Sequence, residues 1–493
     1  MRMRRMIPGL LGLLLVAATP AAPDLSPKRS PALAAAMDQA SRGAKLVAWV
    51  FFRDKGEAAE ARATAARAPM TPRAASRRRL RGQVAGTTIE DLPLVSGYVD
   101  RVAASVDRIR QRSRWLNAVS VEATPAQLQA LEALPFVARL DLVRRYRRRV
   151  DEQLEPEPAR QSHDPVRKPA VPVLDYGTSL GQLTQIGVPA VHEMGFHGEG
   201  VVVAVFDAGF NSLNHEVFSA LHIVAAHDFV NGDDDVGDGA DQGEGSHGTA
   251  TLSVLGGLQQ GQLIGPAFAA DFILAKTENT VSETPVEEDN WAAAAEWAES
   301  LGADVISSSL GYLEYDSPFP SYTFRDMNGQ TAISTRAAEM AAARGVVVVN
   351  SAGNSGSNAE HNTLGAPADG AHVLAIAAVG PSGVRASFSS VGPSADGRIK
   401  PDLAAQGQAV KVALPGSVSR YGTASGTSFS CPLTAGVVAL LLQINPTATP
   451  DDVAGVLRAT ASQAGAPDNL LGWGIVNARA AATAWMPGAA SLR

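Results

Sequence analysis

The chain of 493 residues is too long for one ordinary domain, and its length suggests roughly two to four. Its 45% hydrophobic and 18% charged residues are typical of a globular protein with a large core, and the formal net charge of -7 gives no reason to expect a nucleic-acid partner. The single cysteine, Cys431, excludes an internal disulfide.

The N-terminus has the pattern of a signal peptide, predicted over residues 1–22. Three arginines lie within the first five residues, an apolar stretch runs from Met6 to Ala18, and small residues follow. The apolar stretch is short for a membrane span and contains Pro8 and Gly9, so we expect no stable membrane insertion once the signal is removed. A buried helix or membrane anchor is the alternative. The signal predicts a secreted protein, either extracellular or periplasmic.

Residues 23–150 are predicted to form a small α+β domain. Strands are expected at residues 45–52, 116–122 and 137–143, and Thr124-Pro125 marks the start of a helix. Arginines crowd this third of the chain, in Arg77–Arg79 and Arg144–Arg149, whereas acidic residues crowd later loops. The basic first third of the chain and the acidic later loops are therefore suited either to pair with each other or to be separated. The second arginine run indicates either a solvated face or a junction accessible to proteolysis.

A proline-rich, charged stretch at residues 151–172 is predicted to be a linker. Beyond it, residues 173–485 alternate apolar strands, at 201–206, 272–275, 304–308 and 346–350, with helices at 287–301 and 331–344. This alternation predicts an α/β fold with a doubly wound, mostly parallel sheet and helices on both faces. Residues 486–493 form a tail.

Functional sites in such sheets lie at the carboxyl ends of the strands. Asp207 follows the first strand, Ser309-Leu310-Gly311 follows the third, and Asn354 lies in a Gly/Asn-rich turn after the fourth. Asp207 and Asn354 also have an ordinary explanation, as a loop cap and a turn residue respectively. The short segment at Ser309 is suited to pairing with an extended peptide.

A serine and a histidine lie at predicted helix starts. Gly426-Thr427-Ser428 precedes a long apolar run that ends at Ile444. At the start of this predicted helix, unpaired backbone N–H groups favour developing negative charge. His247 precedes another apolar helical run, and histidine is the usual activator of a serine nucleophile. Taken alone, a serine at this position is more often a helix cap than a nucleophile, and a histidine at a helix start is more often structural than catalytic.

Four short motifs occur in the order found in the subtilisin-like serine peptidases. They are Asp207-Ala208-Gly209, His247-Gly248-Thr249, Ala352-Gly353-Asn354 and Gly426-Thr427-Ser428. The chain resembles that family over residues 174–482, and the α+β segment before it resembles the family's propeptide. The departures are Phe429 and Cys431, where the family commonly has methionine and a small residue.

The resemblance implies a role for each motif. Ser428 would be the nucleophile, His247 the general base, and Asp207 the residue that orients the imidazole. The side chain of Asn354 and the backbone N–H of Ser428 would stabilise the oxyanion. Ser309, Leu310 and Gly311 would form the substrate-pairing strand and part of the specificity pocket.

The resemblance also implies partners and cofactors. Polypeptides would be the substrates, and the propeptide would act as inhibitor and folding aid. The chemistry would need no cofactor, although structural calcium is common in the family. Oxygen ligands for calcium are available among the acidic residues Glu216, Asp228, Asp233, Asp235, Asp238 and Asp241, with a solvated acidic loop as the alternative.

Two other classes of function remain open from the sequence. One is a catalytically silent binding module on the same fold, which would need a broken set of catalytic residues. The other is a serine–carboxyl peptidase of related fold, which would need a glutamate as base and an aspartate as oxyanion donor. His247 and Asn354 argue against the second class.

Overall fold

The structure is a computed structural model. It describes residues 28–41, 43–59, 62, 70–82, 87–143, 154–156, 174–237, 246–279, 286–313 and 321–486. The predicted signal peptide, the Arg144–Arg149 run and nearly all of the predicted tail lie outside the described residues.

The N-terminal domain is a four-stranded antiparallel sheet in the order β2-β3-β1-β4, with helices packed on it. Its strands are β1 (Leu46–Phe52), β2 (Arg108–Ser113), β3 (Ala118–Ala123) and β4 (Val137–Leu142), and its helices are α1 (Pro31–Gln39), α2 (Pro72–Leu80), α3 (Ser96–Ala103) and α4 (Pro125–Glu132). The three strands predicted from sequence correspond to β1, β3 and β4. Helix α4 begins with a capping box between Thr124 and Gln127, as its sequence predicts.

Strand β1 is an unbroken apolar run because both of its faces are buried. Leu46, Ala48, Val50 and Phe52 point into the core of the N-terminal domain itself. The alternate residues Val47, Trp49 and Phe51 pack instead on helices of the following domain. The N-terminal sheet is therefore a layer between its own helices and the larger domain that follows it.

The larger domain is built on a seven-stranded sheet whose neighbouring strands all pair in parallel, in the order β14-β13-β12-β11-β6-β10-β7. These strands are β6 (Val202–Asp207), β7 (His222–Asp228), β10 (Asp271–Lys276), β11 (Val305–Ser308), β12 (Val347–Ser351), β13 (Val373–Val379) and β14 (Leu403–Gln406). The short strands β8 (Leu258–Gln259) and β9 (Leu263–Ile264) pair with each other, as do β15 (Val410–Ala413) and β16 (Tyr421–Ala424).

Helices cover both faces of the parallel sheet. They are α5 (Leu180–Gln185), α6 (Val188–Glu193), α7 (His247–Gly256), α8 (Val286–Leu301), α9 (Ile333–Ala342), α10 (Thr427–Ile444), α11 (Pro450–Thr460) and α12 (Ala478–Trp485). Residues of β6 alternate between two cores, with Val203 and Val205 facing α7 and α10 and with Ala204 and Phe206 facing α8 and α9. The predicted doubly wound α/β fold is confirmed.

Helix α10 is the central helix of one face. Within the described part of the chain, it alone is long and apolar enough to cross a membrane, but 89% of it is buried inside the protein. It is therefore a core helix, and its first turn carries Ser428.

The predicted linker at residues 151–172 contains a short strand. Residues Leu154–Pro156, strand β5, pair antiparallel with β16 as the outer strand of a three-stranded sheet. The sequence did not predict this strand, because an edge strand tolerates proline and needs no apolar pattern. The remainder of the predicted linker lies outside the described residues.

Candidate active site

Three neighbouring parallel strands end at one edge of the sheet and bring predicted site residues to that edge. Asp207 is the last residue of β6, Ser309 follows the end of β11, and Asn354 lies three residues beyond β12. Because β6, β11 and β12 are adjacent and parallel, their carboxyl ends face the same crevice. The N-termini of α7 and α10 supply His247 and Ser428.

Asp207 and His247 are in direct contact. The distance between Oδ1 of Asp207 and Nδ1 of His247 is 2.6 Å, and the Asp207 side chain is fully buried. Its carboxylate also accepts hydrogen bonds from the Thr251 hydroxyl (2.8 Å) and the Ala208 backbone N–H (2.7 Å). A carboxylate accepts but does not donate, so the proton lies on Nδ1 and the basic lone pair of the neutral ring is on Nε2.

Gly248 shows why glycine follows the histidine. A Cβ atom at this position would lie 2.4 Å from the Gly209 carbonyl oxygen and 3.0 Å from Cβ of Asp207. The start of α7 therefore packs directly on the end of β6, which brings the imidazole to the carboxylate. Any larger residue would push the helix away from the aspartate.

Ser428 is the second residue of α10 and is 4% exposed. Its Oγ is 3.3 Å from the Ser309 carbonyl oxygen, while the Ser309 hydroxyl donates to the Ser428 carbonyl at 2.8 Å. The ring of Phe429, the next residue, has its centroid 6.0 Å from that of His247. The first turns of α7 and α10 therefore meet at the sheet edge, at the positive end of the α10 dipole.

Asn354 is held in place by Thr427. Its Oδ1 accepts hydrogen bonds from both the backbone N–H and the hydroxyl of Thr427, each at 2.9 Å. The Thr427 hydroxyl in turn accepts from the Gly353 N–H at 3.2 Å. Since the amide oxygen faces Thr427, the donor end of the side chain, Nδ2, is directed away from it. Gly353 has a φ of 109°, and a Cβ there would lie 2.8 Å from the Ser390 hydroxyl.

The predicted substrate-pairing segment lies beside Ser428 and is tied to the sheet. The Leu310 carbonyl accepts from the Asn350 side chain at 2.9 Å, and Leu310 is 5% exposed. Tyr312, directly after Gly311, forms a two-way backbone bridge with Ala366. These contacts fix the backbone of Ser309, Leu310 and Gly311 against the crevice.

The supporting roles of Thr251 and Thr427 were not predicted from the sequence. Each threonine lies in or beside a predicted motif. The sequence does not show whether the hydroxyl group of such a threonine hydrogen-bonds to a neighbouring side chain or caps a helix. Cys431 has its thiol near the Ser308 and Val349 carbonyls, and burial raises its pKa to about 12. It is a buried packing residue, not a second nucleophile.

The acidic residues considered for calcium are engaged with protein partners where they are described. Glu216 accepts from the Tyr421 hydroxyl at 3.0 Å, and Asp228 lies 3.2 Å from the Lys276 ammonium group. Asp233 and Asp235 accept backbone hydrogen bonds within their own turn, while Asp238 and Asp241 lie outside the described residues. The described residues include no group of three or more His, Cys, Asp or Glu placed to hold a metal. Structural calcium in this loop therefore stays a prediction.

Two family profiles match the chain. The profile described as the Subtilase family covers residues 198–474, more than half of the chain. A second, described as the Peptidase S8 propeptide domain of Bacteroidota, covers residues 47–159 and so includes the N-terminal sheet and β5.

Curated relatives and solved structures agree with these matches. Subtilisin Savinase from Lederbergia lenta is 32% identical over 299 residues, covering 61% of this chain and 97% of the relative. Subtilisin E from Bacillus subtilis (strain 168) is 32% identical over 302 residues, covering 61% of this chain and 70% of the relative.

Among solved structures, proteases from Pseudoalteromonas arctica PAMC 21717 match with a TM-score of 0.51 and 26% identity, covering 64% of this chain and all of theirs. Fervidolysin from Fervidobacterium pennivorans, a keratinolytic enzyme related to subtilisin, matches the fold with a TM-score of 0.61 at 21% identity, over 90% of this chain and 62% of its own. The chain therefore belongs to the subtilase family and is a subtilisin-like serine endopeptidase with a propeptide domain before its catalytic domain.

Proposed function

We propose that Ser428, His247 and Asp207 form the catalytic triad of this endopeptidase. The observation that carries the proposal is the buried Asp207–His247 contact beside the helix N-terminus that bears Ser428. Ser428 Oγ attacks the scissile carbonyl while His247 takes its proton and then gives it to the leaving amine. Water, activated by the same histidine, hydrolyses the acyl-enzyme.

Asn354 and the backbone N–H of Ser428 are the proposed oxyanion donors. Thr427 supports this role because it holds the amide oxygen of Asn354 and so determines where Nδ2 points. Ser309, Leu310 and Gly311 are proposed to pair with the substrate backbone. Every step uses side chains and backbone groups of this chain.

The precursor organisation is part of the same proposal. We propose that residues 1–22 direct secretion and that the N-terminal domain inhibits the enzyme and assists its folding. Strand β4 ends at Leu142, and β5 begins at Leu154 against β16, which leads directly to the turn before Ser428. The connection between residues 143 and 154, which includes the Arg144–Arg149 run, is the proposed processing junction.

Replacing the nucleophile tests the proposal. Ser428→Ala should abolish hydrolysis of peptide substrates and leave the secreted chain uncut at the junction, with an unchanged circular dichroism spectrum. The matched control is Ser357→Ala, an exposed serine beyond Asn354, which should process normally. Retained processing in Ser428→Ala under conditions without added protease would refute the assignment.

A further inference from the structure

Helix α2 of the N-terminal domain is docked far from the candidate active site. Its cap residue Thr71 donates from its hydroxyl to the Leu301 carbonyl at 2.9 Å and from its N–H to the Ser300 carbonyl at 2.8 Å. These carbonyls lie at the C-terminal end of α8, just before β11. Because β11 and its neighbours are parallel, this is the amino edge of the sheet, about 15–20 Å from the edge that carries Asp207 and Asn354.

Three arginines on one side of α2 and its C-terminal end are buried in this contact. Arg77, Arg78 and Arg81 are 3%, 1% and 3% exposed, whereas Arg79 between them faces solvent. Arginine is almost never fully buried unless it is paired. The burial of all three arginines therefore indicates that the catalytic domain has a surface complementary to them.

Arg78 lies at the centre of an ion-pair network between the two domains. It donates to both carboxylate oxygens of Glu299, at 2.8 and 2.9 Å, and to both oxygens of Asp91, at 2.8 and 3.1 Å. Arg344 of the catalytic domain donates to Asp91 at 3.1 Å. Each domain thus contributes both a cation and an anion.

The flanking arginines bind carboxylates and the carbonyls at the strand starts. Arg77 donates to Glu299 and to the Ala303 carbonyl. Arg81 donates to Asp304 at 2.7 Å and to the Gly345 carbonyl at 2.5 Å. We call the acceptor surface the arginine dock, defined by Glu299, Asp304 and the carbonyls of Ala303 and Gly345.

We propose that the arginine dock is a second, remote binding site for an arginine-bearing helix, and that it retains the N-terminal domain after the chain has been cut between residues 143 and 154. This inference rests on the processing step of the proposed function. Pulling α2 away means breaking the hydrogen-bonded ion pairs of three arginines with two carboxylates at once, so dissociation is slow. Breaking one partner of a buried, hydrogen-bonded charge pair accelerates dissociation strongly, because the other charge stays buried and unpaired.

The arginine dock concerns how long the N-terminal domain is retained and not whether the chain is cut. The dock does not touch the crevice, so its arginines affect how long the inhibitory domain stays and leave the chemistry of the cut unchanged.

The test uses the full-length chain, allowed to process itself, with Arg78→Ala and Arg81→Ala compared against Arg79→Ala. The cut is measured by gel and N-terminal sequencing, retention by co-elution of the fragment with the catalytic domain, and release by recovery of peptidase activity after dilution. Arg78→Ala should release the fragment at least about 30-fold faster than Arg79→Ala, with the same rate of cutting. Equal release rates in a normally cut protein would overturn the dock.

Hydrogen exchange on the cut wild-type complex provides a second readout that does not depend on a variant folding. Backbone amides of residues 72–81 should stay protected as long as the fragment co-elutes. Rapid exchange of α2 in an intact complex would also overturn the dock. Failure of the wild-type chain to cut itself would count against the proposed function, since the dock concerns only the fate of the fragment after the cut.

Discussion

Thr427 and Thr251 hold the side chains of two candidate site residues in position. Thr251 donates to the carboxylate of Asp207, and Thr427 fixes the amide of Asn354 through two hydrogen bonds. The sequence predicts Asp207, His247, Asn354 and Ser428 because their types and order match a known chemistry. It does not predict their supports, because a small hydroxyl has no periodic pattern and its partner lies far away along the chain.

Asn354→Ala tests the oxyanion assignment. Losing one preorganised donor costs about 3 kcal/mol, the size of the loss known for subtilisin itself, so kcat should fall by roughly 10²–10³ with little change in KM. Steady-state kinetics of the processed enzyme on a peptide substrate provides the measurement. Asn358→Ala, an exposed asparagine in the same loop, is the control and should retain full activity. A fall in kcat of less than about threefold would remove Asn354 from the chemistry.

At the scale of elements, the apolar strands and the helices of the α/β domain can be predicted from sequence, while polar and arginine-rich elements cannot. Strand β2, Arg-Ile-Arg-Gln-Arg-Ser, is too polar to give a strand signal, and it forms because it pairs with β3 beside α8. From the sequence alone, the arginines of α2 indicate only a charged surface. Their burial depends on Glu299 and Asp304, more than 200 residues away along the chain.

Helix α8 carries a titratable group at its contact with β3. Asp289 accepts a hydrogen bond from Ser120, and burial raises its pKa to about 8, with Ser120 and Arg110 opposing the rise and Glu288 adding to it. The docked state therefore binds a proton that a solvated aspartate, with a pKa near 3.9, releases at neutral pH. Docking is strengthened at low pH and weakens as the pH rises toward 8.

This linkage predicts a pH dependence for the cut complex. Retention of the N-terminal domain should weaken as the pH rises between roughly pH 5 and 8, by up to about tenfold per pH unit for the one proton that Asp289 loses on release. The released fraction of the N-terminal domain would be measured by incubating the cut complex at each pH and then assaying peptidase activity at a single pH. Asp289→Asn should reduce the dependence without abolishing it, because burial at the same contact also raises the pKa of Glu296, whereas Asp451→Asn, at an exposed aspartate on α11, should leave it unchanged. An identical slope in Asp289→Asn would contradict the assignment.

Across the whole molecule, two sheets enclose helices α8 and α9. The parallel sheet covers one side of these helices, and Val47, Trp49, Phe51 and Trp115 of the N-terminal domain cover the other. The N-terminal domain therefore completes a core that the catalytic domain leaves open, which is consistent with a role in folding. The segment that follows the N-terminal domain contacts the catalytic domain through β5, whose partner β16 leads to the turn before Ser428.

The central claim is that Ser428 is the nucleophile of an active peptidase. Labelling the processed protein with a serine-directed fluorophosphonate, with peptide mass spectrometry to locate the label, tests it most directly. We predict one covalent adduct, on Ser428, together with loss of peptidase activity in proportion to labelling. Peptidase activity that survives stoichiometric labelling, or an active protein that carries its label elsewhere, would contradict it.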